Sequence, residues 1–245
     1  MVYLAGLDIH DLLRKLPLSH SQGVEGLVWL TTFAGVYRGF RSHSKTHRRL
    51  HGKHGSETGV SAPHADAGNI GERPPVPLLV KLLSPVVHVG IIITPAVYLV
   101  GTAYYRLEQP EWFSNWSLPD AGLTVGKFAA LRTVACVANY GVLYLLKRVK
   151  QQIHVAAAAE KPTIPEEGPY SVVRHPMAAA TVLGQVSYAL MWWNSIPLAA
   201  AALSLLYLTV QIPHEEYVTE ADLIKGPQYI EYKKKVTSRL IPYIW

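Results

Sequence analysis

Residues 76–105 read VPLLVKLLSPVVHVGIIITPAVYLVGTAYY, a run of thirty in which Lys81 is the only side chain of fixed charge. As a helix rising 1.5 Å per residue, this run is long enough to cross the ~30 Å hydrocarbon layer of a bilayer. Four further apolar runs follow the same logic, at 24–40, 127–147, 177–193 and 196–212. The pattern predicts an all-α, polytopic integral membrane protein with about five transmembrane helices. Composition agrees, because only 16% of the residues are charged, against about a quarter in soluble domains. The run at 24–40 is short and contains Glu25, so it reads either as a span or as an interfacial helix. Pro85 and Pro95 are expected to kink the helix at 76–105 unless neighbours satisfy the freed carbonyls. The runs at 177–193 and 196–212 are split by Asn194-Ser195-Ile196-Pro197, which reads as the tight turn of a helical hairpin.

The net charge of +6 comes from 23 Lys and Arg against 17 Asp and Glu. Its excess lies in loops, so it speaks to membrane orientation and not to nucleic acid. Six Lys or Arg fall between Arg38 and Lys53, Lys147-Arg148-Val149-Lys150 follows the third run, and Lys233–Lys235 stand near the C-terminus. With five spans these clusters share one side, which the positive-inside tendency makes cytoplasmic. The Asn115-Trp116-Ser117 sequon then lies on the lumenal side. Trp112, Phe113, Trp116, Trp192 and Trp193 are expected at headgroup level. The N-terminal stretch carries Asp8 and Asp11 early and lacks a basic start before an apolar centre, so no cleavable leader is expected. Cys136, the single cysteine, sits in an apolar run, which excludes an internal disulfide and predicts a buried, inert thiol. Residues 41–75 are rich in His, Gly, Ser, Pro and Arg and read as a mobile basic loop. His43, His47, His51 and His54 fall there at near-helical spacing, but no second His cluster follows, so they read as part of a lipid-facing basic loop and not as metal ligands. The chain thus divides into an N-terminal part, 1–75, and a membrane domain, 76–245.

Gly168 to Pro176 read GPYSVVRHP, with Arg174 and His175 at the threshold of the fourth run. His214, Glu215 and Glu216 stand just past the end of the fifth. A hairpin makes those two places neighbours, gathering Arg, His and two Glu at one spot on the membrane surface. Adjacent carboxylates repel, and they are unfavourable beside an anionic leaflet unless a cation answers them. A sulfonium or ammonium ligand is one such cation.

The segment GPYSVVRHP, an apolar hairpin, and then EEYVTEADLIKGPQYIEYKKKVTSRLIPYIW resemble the C-terminal half of the isoprenylcysteine carboxyl methyltransferase family. The resemblance covers roughly residues 160–245. It rests on Gly168, Tyr170, Arg174, His175, Pro176, Glu215, Glu216, Leu223, Tyr229, Tyr232, Val236, Leu240 and Pro242. One departure is Met177-Ala178-Ala179-Ala180, where the family carries an aromatic residue two places after the proline. The resemblance implies a methyltransferase of the endoplasmic reticulum membrane that uses S-adenosyl-L-methionine (SAM) and faces the cytosol. Its cofactor part would be 148–245. It implies SAM binding by Gly168, Tyr170, His175, Pro176, Glu215 and Glu216, with Gln152 and His154 as a looser match. Arg174 is the expected catalytic residue, its planar fork suited to orienting an acceptor carboxylate, unless it pairs with a Glu of the cluster or with lipid phosphate. The implied acceptor is the C-terminal carboxylate of a prenylated cysteine, with membrane lipids around it. Three other readings stand beside this one. They are a methyltransferase acting on phospholipid amine or another small lipophile, an NADPH-dependent sterol reductase-like protein, and a non-enzymatic scaffold with a decayed site.

Overall fold

Prolines and small polar residues set most of the helix limits. The computed structural model describes residues 3–4, 7–8, 20–52, 75–119, 122–158 and 163–245, with side chains described within 23–39, 75–119, 122–156 and 163–245. Tyr3–Leu4 pairs antiparallel with Leu7–Asp8, and the rest of the described secondary structure is helical. Among the described residues, the helices longer than a single turn are α1 (His20–Gly52), α2 (Leu78–Tyr104), α3 (Val125–Ala158), α4 (Pro176–Trp192), α5 (Ile196–Glu220) and α6 (Gly226–Lys235), with one turn of helix at Glu111–Ser114. Pro77 stands at the N-cap of α2, and Pro176, Pro197 and Pro227 occupy first turns, where a missing N–H costs nothing.

Among the described residues, three helices are long and apolar enough to cross a membrane: α2, α3 and α5. α1 and α4 stand outside that set. α4 has 17 residues, and α1 mixes its apolar stretch with Glu25 and a basic C-terminal half. α1 runs on to Gly52, so the stretch read as a loop from residue 41 begins as helix. His54 and the remainder of that stretch, through residue 74, lie outside the described residues.

The outer surface of the helices is apolar. Leu78 and Val100 on α2 and Val137 on α3 are each about two-thirds or more exposed, at 71%, 71% and 67%. In water this would be an aggregating surface, and in lipid it is the matched one. Within the bundle, hydroxyls return to the backbone one turn earlier. Thr31, Thr32, Thr102 and Ser187 each donate to the carbonyl four residues before them, which satisfies polar groups where no water reaches.

α3 packs along α4, α5 along α2, and α4 along α5. Trp193 takes a left-handed conformation (φ 52°) that ends α4. Asn194 then ties the turn together: its Nδ2 donates to the Phe113 carbonyl and its Oδ1 accepts from the Ile196 N–H. At this end a core forms from Val28, Tyr98, Phe113, Cys136, Met191 and Trp192. Cys136 is buried as expected. Trp192 corrects an expectation. It is fully buried and not an interfacial anchor, stacked on Tyr98 and Tyr188 at 4.4 and 4.8 Å, with its Nε1 donating to Thr32 Oγ1. Beside that core lies the answer to Glu25. Its carboxylate accepts from Tyr98 Oη and Gln109 Nε2, and Arg132 Nη2 stands 2.7 Å away. An acid inside an apolar run is tolerated here because a cation from α3 meets it in the bundle.

Candidate functional site

The opposite end of α4 and α5 carries the polar residues of the GPYSVVRHP segment and the Glu pair. α5 does not stop where its apolar residues stop at Ile212. It continues through Pro213 to Glu220 and so carries Glu215 and Glu216 on rigid helix. Glu216 is 2% exposed and receives Arg174 Nε on Oε1 at 2.8 Å. Arg239 approaches Oε2 with both Nε and Nη2 at 3.1 Å. His175 Nε2 lies 3.4 Å from Oε1 and Lys233 Nζ 3.9 Å from Oε2. A buried carboxylate is stable as an anion only with such partners.

Arg174 is itself held on three sides. Besides Glu216, its Nη1 donates to the carbonyls of Val236 and Thr237, at 2.8 and 2.7 Å. The backbone N–H groups of Arg174 and His175 donate to Ser238 and Arg239 carbonyls, both at 2.9 Å. The tail after α6 is therefore laced across the Arg-His pair. Of the arrangements the sequence left open for Arg174, the pairing with a Glu of the cluster is the one present. Glu216 does not wait for a ligand cation, because Arg174 and Arg239 of the same chain answer it. Nor is the Arg174 fork presented to an incoming carboxylate: it is 7% exposed, with Nε and Nη1 engaged by the protein.

The remaining expected residues lie around this hub with more freedom. Pro176 is buried at the first turn of α4. The Glu215 side chain is half exposed. Its Oε1 accepts from Gln211 at 2.6 Å, and its Oε2 lies 3.8 Å from His175 Nδ1. Gly168 opens a 3-10 turn, Gly168–Ser171, with φ +57°. A Cβ added there would lie 2.6 Å from Gln152 Nε2, which donates to the Glu167 carbonyl at 2.8 Å. Gln152 Oε1 is buried and without a hydrogen-bond partner. Tyr170 contributes its carbonyl, which accepts from Tyr232 Oη at 2.7 Å. His154 is exposed on α3.

Tyr229 and Tyr232 on α6 are buried against Tyr170, Ile164 and Val236. Burial pushes both phenols well above their ordinary pKa, and at Tyr229 the Glu216 carboxylate adds to the effect. Two participants escaped the sequence reading. Arg239 and Lys233 looked like ordinary basic tail residues, and only the return of the tail onto the Arg174-His175 pair puts them on Glu216. The chain matches no protein-family model and no curated protein sequence.

Proposed function

We propose that this chain is an integral-membrane methyltransferase that uses SAM to methylate the C-terminal carboxylate of a prenylated cysteine at the cytosolic face of the endoplasmic reticulum. Five spans, with α4 and α5 as a hairpin, are part of this reading. The observation that carries it is the nearness of a polar cap to a lipophilic cavity on one helix. His175 and Pro176 begin α4 at the cap, and Ala180, one and a half turns later, already lines a cavity of about 320 Å³ walled by residues of α1 to α5. The separation along the helix is about 8 Å at 1.5 Å per residue. A soluble cofactor and a membrane-held acceptor need that juxtaposition.

The residues present suit SAM at the cap. Gln152 Oε1 is a buried acceptor lacking a donor, and the bare Gly168 backbone lets the Gln152 side chain lie against the turn. Gln152 Oε1 would accept from an N–H of the cofactor, and half-exposed Glu215 would accept from its ribose hydroxyls or amino group. His175 would face the amino-acid carboxylate, with Gly168, Tyr170 and Pro176 shaping the backbone around it and His154 at the rim. SAM, when bound, would supply an electrophilic sulfonium methyl group for a carboxylate oxygen, the C–S electron pair remaining on sulfur. The acceptor is already a nucleophile near neutrality, so the protein needs no general base. Its work is alignment and exclusion of water. Arg174 acts in this reading as a positioning residue, fixing Glu216 and the tail so that His175 and Glu215 face the cofactor.

The test uses membranes containing the full chain, methyl-labelled SAM, and a farnesyl-cysteine analogue together with phosphatidylethanolamine. Label in a base-labile ester is the expected result. Label in phospholipid, or none in either, overturns the acceptor assignment, and failure of the purified protein to bind SAM overturns the whole reading.

A further inference from the structure

The cavity between the helices is not a plain hydrocarbon slot. Gln185 is on its wall, 7% exposed, and both its amide oxygen and its amide nitrogen are buried without a hydrogen-bond partner. Asn139, 1% exposed on the facing helix α3, lines the same cavity, and its Nδ2 makes no hydrogen bond of ordinary geometry, though it interacts with the Tyr188 phenol on the same wall. Buried side-chain amides are nearly always paired, by protein or by an ordered molecule. Two in one cavity, in the membrane part of the bundle, mark a place where a ligand supplies the missing partners. Gly35, Gly184 and Ala180 line the wall, and a Cβ at Gly35 would come within 2.7 Å of Tyr188 Oη.

We infer that the cavity binds a lipophile carrying an oxygen function, a hydroxyl or a carbonyl, within its hydrocarbon part, and that Gln185 and Asn139 recognise that oxygen. Two amide NH2 groups and one amide oxygen stand there, and a hydroxyl, with two lone pairs and one O–H, can give each of these three atoms one partner, whereas a carbonyl can reach only the two nitrogens. An all-hydrocarbon chain would offer none of them a partner. The position adds a length. Gln185 lies ten residues beyond His175 on α4, about 15 Å along the helix axis. The ligand therefore has its polar head at the cap and a second oxygen about 15 Å deeper. This rests on the proposed methyltransferase reading only in that such a lipophile would compete with the prenyl chain of the acceptor for the same cavity; binding itself requires no SAM.

The probes are 12-hydroxystearate and stearate, which share a carboxylate head and differ by one hydroxyl on the twelfth carbon, at comparable depth. Binding of each to the detergent-purified full chain is measured without SAM by native mass spectrometry. The parent is expected to prefer the hydroxy acid by roughly 2- to 13-fold, the equivalent of one neutral hydrogen bond. Gln185→Met keeps the length of the side chain and removes its amide. It is expected to abolish the preference and to bind stearate at least as tightly as the parent does, a gain that a misfolded variant would not show. Equal binding of the two acids by the parent, binding of neither, or a preference that survives in Gln185→Met overturns the inference. Intact lipophile binding without methyl transfer would sink the reaction and leave the cavity; transfer to an acceptor with no selective lipophile binding would do the reverse.

Discussion

Glu215 and Glu216 are adjacent in the sequence and differ in every physical respect that matters for a test. The Glu216 side chain is 2% exposed and that of Glu215 51% exposed. Glu216→Gln keeps the shape and removes the anion, leaving Arg174 buried without its counter-charge, and breaking such a pair costs about 3–5 kcal/mol. The expected outcome is a large fall in the thermal midpoint in detergent. Glu215→Gln is expected to leave that midpoint within about 0.5 kcal/mol of the parent, as for a surface site. Under the proposed function it weakens SAM binding by about 10- to 150-fold, the range for one hydrogen bond to a charged group. Calorimetry with SAM checks the second effect, with exposed Glu231→Gln as the control. A parent-like midpoint for Glu216→Gln would show that the hub does not hold the cap together. Gly168→Ala is a second residue-scale case. A side chain at φ +57° costs about 1–2 kcal/mol, and its Cβ would push on Gln152 Nε2. The stability loss is expected to shrink in the Gln152→Ala background, where that contact is gone. The sequence made Arg174, His175 and the Glu pair legible as a cluster, since two apolar runs with a short break bring their far ends together. It could not divide the pair into a buried and an exposed member, because both stand in the same polar stretch and only the side of α5 each occupies separates them.

At the scale of the elements, apolar periodicity located the middle of each helix and misjudged several ends. α2 at Leu78–Tyr104 and α4 at Pro176–Trp192 match their apolar runs closely, because prolines and a left-handed Trp193 stop them there. α3 and α5 outrun theirs by about two turns or more. Basic and acidic residues leave the apolar layer without breaking i to i−4 hydrogen bonding, so a change of composition marks a membrane boundary and not a helix end. α6 is a different case: a short, polar helix held by two buried tyrosines. Because burial raises both phenol pKa values, the folded cap keeps them neutral while unfolded chains begin to ionise them near pH 10. Their contribution to stability is complete below about pH 10 and is lost as pH rises toward the folded values. The thermal midpoint of the detergent-solubilised protein is expected to fall above that pH. In Tyr229→Phe/Tyr232→Phe the baseline is lower, since Tyr232 no longer donates to the Tyr170 carbonyl, but the alkaline fall is shallower. An identical alkaline slope in parent and double variant would mean that these phenols are not held neutral by the fold.

Over the whole molecule, the features separate by depth. An exposed apolar belt surrounds α2 and α3; Glu25, Arg132 and the Asn115 segment lie toward one end, and the Glu216 hub with the tail lies at the other. The belt was readable from composition. The cavity was not, since its wall is assembled from residues of five helices that no local spacing links, and its unpaired amides look in sequence like ordinary polar residues. The ends of this arrangement fix a topology test. Asn115 and Thr163 are both exposed, and they bracket α3, whose 34 residues extend about 51 Å at 1.5 Å per residue. Native Cys136 is 1% exposed and serves as a silent background. If α3 crosses the bilayer, a cysteine at Asn115 and one at Thr163 cannot be reached from the same side. With the basic clusters cytoplasmic, Thr163→Cys is expected to react with an impermeant maleimide in sealed microsomes, and Asn115→Cys only after the membrane is permeabilised. Reversed labelling would invert the orientation and put the candidate site on the lumenal face, where cytosolic SAM does not reach it. Labelling of both from outside would mean that α3 lies along the surface, and the apolar belt would then have to be covered by another protein and not by lipid.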